Sequence, residues 1–176
     1  MESVELPEHQ HAPSALTVPV SVTISLLAVL VASVTLLSHR AHTEELLLQT
    51  RATDQWAYYQ AKDIRLHEMQ AVADVLDGLS APSNEKAQAV RQKYLNEVKR
   101  YQSDKGDIGE KARELEKERE VIGRRADRFD GGEALLEVGL VICSITLLTK
   151  RRWFWFGGML IGAAGVALAL TGLLIH

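Results

Sequence analysis

The chain has 176 residues, a formal net charge of −3, 47% hydrophobic residues and one cysteine. The single cysteine, Cys143, excludes an intrachain disulfide and a cysteine-based metal cluster, and the near-neutral charge gives no basic surface of the kind that binds nucleic acid. Both ends are apolar and the middle is dense in charged residues. Because sustained apolar–polar alternation is lacking and turn residues are few, the pattern predicts an all-α protein.

Residues 1–16 form a polar tail with Pro7 and Pro13, and the composition predicts disorder. His9 and His11 are weak candidates for a metal site, and a solvated tail is the interpretation we favour. The tail has no basic residue, whereas a signal peptide begins with a basic region. We therefore expect the following apolar stretch to be an uncleaved membrane anchor.

Residues 17–37 contain no charged side chain. A helix of this length spans roughly 30 Å, which is the thickness of the hydrocarbon core of a bilayer. The stretch predicts a first transmembrane helix. Small and hydroxyl residues repeat along one of its faces, and such faces let membrane helices approach closely: Ser21, Ser25, Ala28, Ala32 and Thr35.

Residues 38–131 predict a helical hairpin with its tip near residues 78–84. The first arm has an apolar seam that Gln55 and Lys62 interrupt. The seam positions are Leu48, Ala52, Tyr59, Leu66, Met69, Ala73 and Leu76. At the tip, Gly78 can serve as a left-handed helix cap, Pro82 prevents continuation, and Ser83 or Asn84 can cap the next helix.

The second arm keeps one apolar register from Ala87 to Phe129. Polar residues occupy three of its seam positions and are expected to select register or partner: Arg91, Lys105 and Arg119. Gly106 and Gly109 weaken the helix, so one long helix is favoured and two helices with a short break are the alternative. The two arms together predict an antiparallel coiled-coil stalk.

Residues 132–149 predict a second transmembrane helix that carries Glu133 and Glu137. Glu137 lies more than a turn inside, and an ionisable group at such a depth is a functional candidate. The simpler interpretation places both carboxylates at the membrane interface, neutralised by Arg40 or Arg128.

A basic and aromatic loop is predicted at residues 150–155, followed by a third transmembrane helix at residues 156–175. Glycine and alanine repeat along one face of this helix and predict close packing within one chain or between chains: Gly158, Gly162, Gly165, Ala169 and Gly172. Basic residues occur in the loop and also beside the membrane in the hairpin, so the side of the stalk stays open.

Several strings of the sequence, in this order, resemble one family: SHRAHTEELLLQ, ATDQWAYYQAKDIR, ELEKERE, RRADRFD and LLTKRRWFWFGG. That family is the bacterial membrane family called domain of unknown function 4337. The resemblance covers nearly the whole chain and implies a multi-pass protein of the bacterial inner membrane. It implies no activity and no catalytic residue.

The most specific of these strings contains Trp56, Tyr58 and Tyr59. Exposed aromatic side chains are common anchors for protein partners, so these residues are a candidate interaction site. Internal packing in the stalk is the alternative. Tyr59 lies on the seam, whereas Trp56 and Tyr58 flank it.

The sequence favours a non-enzymatic structural or assembly protein whose stalk mediates self-association or partner binding. We expect it to contact the lipid bilayer and either further copies or another membrane or envelope protein, without a cofactor. The alternative is a small oligomeric transport or channel component that uses Glu137. An enzyme is not expected, because no catalytic set, phosphate loop or metal-ligand spacing occurs.

Overall fold

A computed structural model describes residues 16–79 and 84–175. These residues form three α-helices, α1 (Thr17–Leu79), α2 (Glu85–Thr149) and α3 (Arg152–Leu173). No described residue lies in a β-strand, so the prediction of an all-helical protein is confirmed for this part of the chain. The tail with His9 and His11 lies outside the described residues.

The two long helices are unbroken over their full lengths. α2 continues through Gly106 and Gly109, in agreement with the single long helix that the register favoured. The left-handed cap predicted at Gly78 is wrong, because Gly78 lies inside α1 and no described glycine has a positive φ. The predicted start of α2 is confirmed: Asn84 Oδ1 accepts a hydrogen bond of 3.2 Å from the Ala87 amide.

The chain divides into two compact units. The apolar unit comprises residues up to Ala41 together with residues from Arg124 onward, and the hairpin unit comprises His42–Gly123. Each unit has its own core.

In the hairpin unit, α1 and α2 are antiparallel and bury a narrow seam. The buried apolar residues of this seam are Leu48, Ala52, Leu66, Ala73, Ile108 and Ala112. The remaining predicted seam positions of α1 are half-buried, including Tyr59, Met69 and Leu76. The apolar register read from the sequence therefore corresponds to the face along which the two helices pack.

In the apolar unit, parts of all three helices surround a common core. Its buried residues are Leu27, Val34, Ala41, Ala126, Phe129, Leu136, Cys143 and Ala169. Each of the three helices contains a stretch long and apolar enough to cross a membrane. At one end of this unit the indole N–H of Trp155 donates to the hydroxyl of Thr23 over 3.1 Å, which fixes the start of α3 beside α1.

The connection between α2 and α3 is short. Lys150 has a φ of 52°, a left-handed conformation that ends α2. α3 then begins at Arg152, so the aromatic residues after it form the first turns of the helix. Trp153 and Phe156 are exposed there, whereas Trp155 is half-buried.

Candidate functional site

Two reciprocal ion pairs cross the middle of the hairpin unit. Lys62 on α1 pairs with Asp104 on α2 over 2.8 Å, and Asp63 on α1 pairs with Lys105 on α2. The hydrogen bond to Asp104 raises the pKa of Lys62, and the hydrogen bond from Lys105 lowers the pKa of Asp63. The same bond to Asp63 raises the pKa of Lys105. Each pair therefore favours the charged state of its members.

Further ion pairs connect α2 to α1 at the other polar seam positions. Arg91 Nε lies 3.0 Å from Asp77 Oδ1, and Arg119 lies 3.8 Å from Glu45. Asp63 and Asp77 are as far apart along α1 as Lys105 and Arg91 are along α2. The pairs Asp63–Lys105 and Asp77–Arg91 therefore fit one antiparallel register. The basic residues that interrupt the apolar register thus face acidic residues and keep the antiparallel pairing in one register.

The predicted aromatic site is divided by the structure. Trp56 and Tyr59 are half-buried and form an edge-to-face pair with ring centroids 5.4 Å apart. The indole N–H of Trp56 donates to Glu116 on α2 over 2.8 Å. Only Tyr58 is exposed, with 51% of its surface accessible. Trp56 and Tyr59 therefore serve the packing of the hairpin, and Tyr58 alone remains available to a partner.

Lysine side chains lie over the tyrosine rings of the same region. Lys62 Nζ is 4.8 Å from the ring centroid of Tyr101 and 5.5 Å from that of Tyr58, and Lys105 Nζ is 4.9 Å from that of Tyr59. A cation over an aromatic face is attracted by the quadrupole of the ring. The two lysines are thus held by a carboxylate and by aromatic rings at once.

Gly106 and Gly109 of α2 line a shallow groove beside this cluster. The groove has a volume of about 220 Å³, and Tyr59, Leu66 and Lys105 contribute to its walls. A Cβ atom added at Gly109 would lie 3.2 Å from the ring of Tyr59, whereas one added at Gly106 would meet nothing within 4 Å. Gly109 therefore gives room to the tyrosine ring, and Gly106 does not.

A second apolar surface runs along α1 on the side opposite the seam. We call it the outer stripe, and its residues are all exposed: Ala57, Ala61, Ile64, Ala71, Val75 and Leu79, with Tyr58 and Val72 exposed on the flank between the stripe and the seam. Since successive residues of a helix are rotated by ~100°, a position two residues from a seam residue faces away from the seam. Leu66 on the seam is 7% exposed, and Ile64 on the outer stripe is 60% exposed.

The corresponding outer face of α2 is polar. Its exposed positions in the middle of the hairpin include Lys99, Ser103, Glu110, Glu114 and Lys117. In the described part of the hairpin unit, Val90 is the only large apolar side chain of α2 that is exposed, and the others are buried or half-buried. The hairpin therefore has one apolar outer side, and α1 supplies it.

In the apolar unit, hydroxyl groups of α1 contact carboxylates of α2. The Thr35 hydroxyl donates to Glu133 Oε1 over 2.6 Å, and the buried Ser38 hydroxyl donates to Asp130. Glu137 lies one helical turn beyond Glu133 and is exposed on the surface of this unit. The structure thus gives Glu133 a partner inside the chain and places Glu137 on the outside.

The glycine face of α3 packs directly against α2. A Cβ atom at Gly165 would lie 2.8 Å from the carbonyl oxygen of Gly132, and one at Gly158 would lie 2.7 Å from that of Gly139. A Cβ atom at Gly162 would lie 2.7 Å from a methyl group of Leu27 on α1, and one at Gly172 would lie 3.1 Å from the Phe129 ring. All four glycines of this face are buried within one chain.

Of the small-residue face predicted on α1, Thr35 alone contacts another helix, through its hydrogen bond to Glu133, and the other four residues do not take part in this packing. Ser21, Ser25, Ala28 and Ala32 are exposed, and α1 instead directs Leu27 and Val34 into the core. The reason lies in α3, since the space left by Gly162 is filled by the side chain of Leu27. A large residue on α1 complements a missing side chain on α3.

The sequence profile of the family described as Domain of unknown function (DUF4337) matches residues 16–175. The chain belongs to the DUF4337 family. No match to the chain is found among curated proteins or among solved structures. The description of DUF4337 states no activity.

The outer stripe of this DUF4337 chain was missed by the sequence reasoning, although its spacing was available. Ala57, Ala61, Ile64, Ala71 and Val75 fit the alternation of three and four residues that the seam shows, with Glu68 at the one position between Ile64 and Ala71. Three of the five are alanines, which look neutral in a charged helix. Within the described residues, no group of three or more His, Cys, Asp or Glu side chains has the geometry of a metal site.

Proposed function

We propose that this member of the DUF4337 family is a non-enzymatic integral membrane protein whose helical hairpin mediates assembly. The hairpin associates either with further copies of the chain or with another membrane or envelope protein. The three apolar helices support insertion as a multi-pass protein, and we place it in a bacterial inner membrane. The proposal assigns no catalytic residue and no cofactor.

The single observation that carries this proposal is the outer stripe of α1. Ile64, Val75 and Leu79 are 60%, 56% and 83% exposed, on a hairpin whose other outer side is charged. An exposed apolar surface with polar borders is typical of a protein interaction site, and here Glu68 interrupts it between Ile64 and Ala71. An apolar helix face of this kind binds a partner helix or groove through side chains that are three and four residues apart.

Photo-crosslinking in intact cells tests the proposal. A photoreactive phenylalanine analogue at Ile64 lies on the outer stripe, and the same analogue at Ser103 lies on the polar outer face of α2. We expect a discrete crosslinked species from position 64 and none from position 103. Absence of a discrete species from position 64 would contradict assembly through this surface.

A second candidate function is a small oligomeric transport or channel component. Glu137 favours it, because this carboxylate lies on an apolar helix and is exposed on the surface of the apolar unit. Ionisable groups within membrane helices face other helices or water rather than lipid. Several chains surrounding a pore would give Glu137 such an environment.

Ion flux in reconstituted vesicles tests this second candidate. Glu137→Gln removes the charge with little change in shape, and Glu114→Gln on the exposed face of α2 is the matched control. The channel interpretation predicts that Glu137→Gln changes the flux or its ion selectivity and that Glu114→Gln does not. Equal flux from both variants and the unchanged protein would end it.

A further inference from the structure

We propose that the apolar unit binds a phospholipid whose headgroup carries a phosphate and a free ammonium group, as in phosphatidylethanolamine. The site is a pocket of about 340 Å³ between α2 and α3, beside the last turns of α3. The inference rests on the membrane insertion proposed above, and it does not depend on the outer stripe of the hairpin.

The pocket combines charged and apolar walls. Its charged residues are Arg124, Asp127 and Arg128 on α2, and its apolar residues are Leu168 and Ile175. Residues three and four apart on a helix lie on one face, so the two guanidinium groups and the carboxylate belong to one surface. Charged groups of both signs beside an apolar wall match an amphipathic ligand better than a simple ion.

Close contacts between the two helices hold these walls in place. A Cβ atom at Gly172 would lie 3.2 Å from the Cβ atom of Arg128, and one at Gly131 would lie 2.9 Å from a methyl group of Leu168. The base of the Arg128 side chain therefore rests on the backbone of α3, and Leu168 rests on the backbone of α2. A pocket that is formed before its ligand arrives loses less entropy on binding.

The pocket lies at the level where α2 changes from charged to apolar. Between Gly131 and Thr149, the charged residues of α2 are Glu133 and Glu137 alone. Arginine side chains at the end of a membrane helix extend toward the headgroup region. The charged wall of the pocket is therefore placed for a lipid headgroup, and Leu168 is placed for the start of an acyl chain.

The faces of α2 and α3 that form the pocket remain apolar deeper in the unit. Leu135 and Val138 continue the face of α2, and Ala164 and Ile161 continue that of α3, at spacings of three and four residues. These four side chains are exposed or half-buried, so a hydrocarbon chain can lie along them. Glu137 lies nine positions after Arg128, a rotation of about 180°, and faces away from this surface.

The charges of the pocket select the headgroup. Neither Arg128 nor Asp127 forms an ion pair with another residue of the described chain. A guanidinium group binds the oxygens of a phosphate through paired N–H donors, and the carboxylate of Asp127 accepts hydrogen bonds from an ammonium group. A headgroup with both groups satisfies both signs of charge, whereas a purely anionic headgroup leaves Asp127 facing an anion.

Native mass spectrometry of the full chain in mild detergent tests the inference. The protein is mixed with equal amounts of phosphatidylethanolamine, phosphatidylcholine and phosphatidylglycerol that carry the same acyl chains, and the retained lipid is identified by its mass. We expect phosphatidylethanolamine to be retained several-fold more than either of the others, because choline has no N–H donor for Asp127. Equal retention of the three lipids would overturn the inference.

The variant Arg128→Gln tests the phosphate contact. We expect it to retain phosphatidylethanolamine several-fold less than the unchanged protein. Arg151→Gln is the matched control, because Arg151 is an exposed arginine in the turn before α3, at the other end of the apolar unit. An equal loss from both variants would show a general attraction of lipid to basic side chains and would overturn the inference.

The variant Asp127→Asn tests the ammonium contact through a gain of binding. Without the carboxylate, phosphatidylglycerol should be retained at least as well as phosphatidylethanolamine. A misfolded variant would lose both lipids, so this exchange of preference reports on the headgroup itself. An unchanged preference for phosphatidylethanolamine in Asp127→Asn would overturn the inference.

Phosphoethanolamine, which is the headgroup without acyl chains, distinguishes a lipid from a soluble ligand. An excess of this compound should leave the bound lipid in place, because the apolar wall of the pocket contributes to binding only when an acyl chain is present. Displacement of the lipid by phosphoethanolamine would indicate a site for a soluble phosphate compound and would overturn the inference.

The lipid site and the proposed function fail separately. If photo-crosslinking from Ile64 gives a discrete species while the three lipids are retained equally, assembly stands and the lipid site is wrong. If the chain is released from membranes by washing with alkaline carbonate, it is not inserted in the bilayer, and both proposals are wrong.

Discussion

The charged residues at the middle of the hairpin show how single side chains set the pairing of its helices. Lys62 and Asp63 are adjacent in α1, and Asp104 and Lys105 are adjacent in α2, with the order of charges reversed. Because the helices are antiparallel, each lysine meets a carboxylate. A shift of one helix by a residue would break both pairs, so the cluster favours one register over its neighbours.

These pairs predict a defined dependence of stability on pH. The pKa of Asp63 is below its ordinary value of 3.8, so its contribution is present above that value and is lost as pH falls through the pKa in the folded state. The pKa values of Lys62 and Lys105 are above 10.5, so their contribution is present below pH 10.5 and is lost as pH rises further. Between these limits we expect a flat profile.

The variant Asp63→Asn tests that assignment. Circular dichroism of the full chain in mild detergent, followed during unfolding at several pH values, should show a smaller loss of stability below about pH 4 than in the unchanged protein. Glu114→Gln, on the exposed face of α2, is the matched control and should keep the original profile. An acid profile unaffected by Asp63→Asn would contradict a role for this carboxylate.

Gly106 and Gly109 give a second test at the scale of one residue. Gly106→Ala should stabilise the protein by about 0.5–1 kcal/mol, because alanine favours a helix and its Cβ meets nothing within 4 Å. Gly109→Ala should gain less or lose stability, since its Cβ approaches the ring of Tyr59 to 3.2 Å. Chemical unfolding of both variants measures the difference, and an equal gain at the two positions would contradict the contact with Tyr59.

At the scale of the helices, the apolar unit depends on close contact between α2 and α3. The glycines of α3 bring its backbone against the backbone of α2, where dispersion between many atoms supplies the attraction. Leu27 of α1 then fills the space beside Gly162. Although these helices are apolar on every side, each packs on the others through one particular face.

Neighbouring glycines allow a matched test of this contact. Gly165→Ala places a Cβ atom 2.8 Å from the carbonyl oxygen of Gly132 and should destabilise the unit by about 1–3 kcal/mol. Gly157→Ala meets nothing within 4 Å and should leave the unit at least as stable as before, because alanine favours a helix. Cys143 is buried and is the one cysteine of the chain, so a thiol-reactive dye reports unfolding during heating. Equal labelling temperatures for both variants would contradict the predicted contact.

The hairpin was largely predictable from the sequence because its two helices have contrasting faces. Apolar residues at alternating spacings of three and four marked the seam, and the polar residues on that seam, such as Lys105 and Arg119, proved to face acidic partners. The continuity of α2 through Gly106 and Gly109 followed from the unbroken register. Gly78 misled the reasoning because glycine is accepted inside a helix as well as at its end.

The apolar unit was less predictable for a physical reason. In helices that are apolar on every side, periodicity does not distinguish a face that packs on protein from one that faces lipid. The small residues of α1 therefore suggested the face that packs on the other helices, whereas Leu27 and Val34 of α1 lie in the core. In the candidate site, the sequence singled out Trp56 and Tyr59 as interaction residues, whereas both are half-buried in the hairpin. The alanine-rich outer stripe was not predicted.

At the scale of the whole molecule, the chain combines three helices suited to a membrane with a hairpin that leaves one apolar side exposed. A soluble helix pair gains nothing from such a side unless another protein covers it. An exposed apolar side of this kind is the feature on which the proposal of assembly rests. The exposed position of Glu137 is consistent with chains that also meet within the membrane.

The mass of the protein in its own lipids tests that property most directly. The full chain, extracted from membranes in polymer-bounded lipid particles, is measured by light scattering beside Ile64→Lys and the control Ser103→Lys. We predict a protein mass well above the 19.5 kDa of one chain, retained by Ser103→Lys and reduced to one chain by Ile64→Lys, because a charge on the outer stripe opposes its burial. A mass of one chain for the unchanged protein would contradict the account.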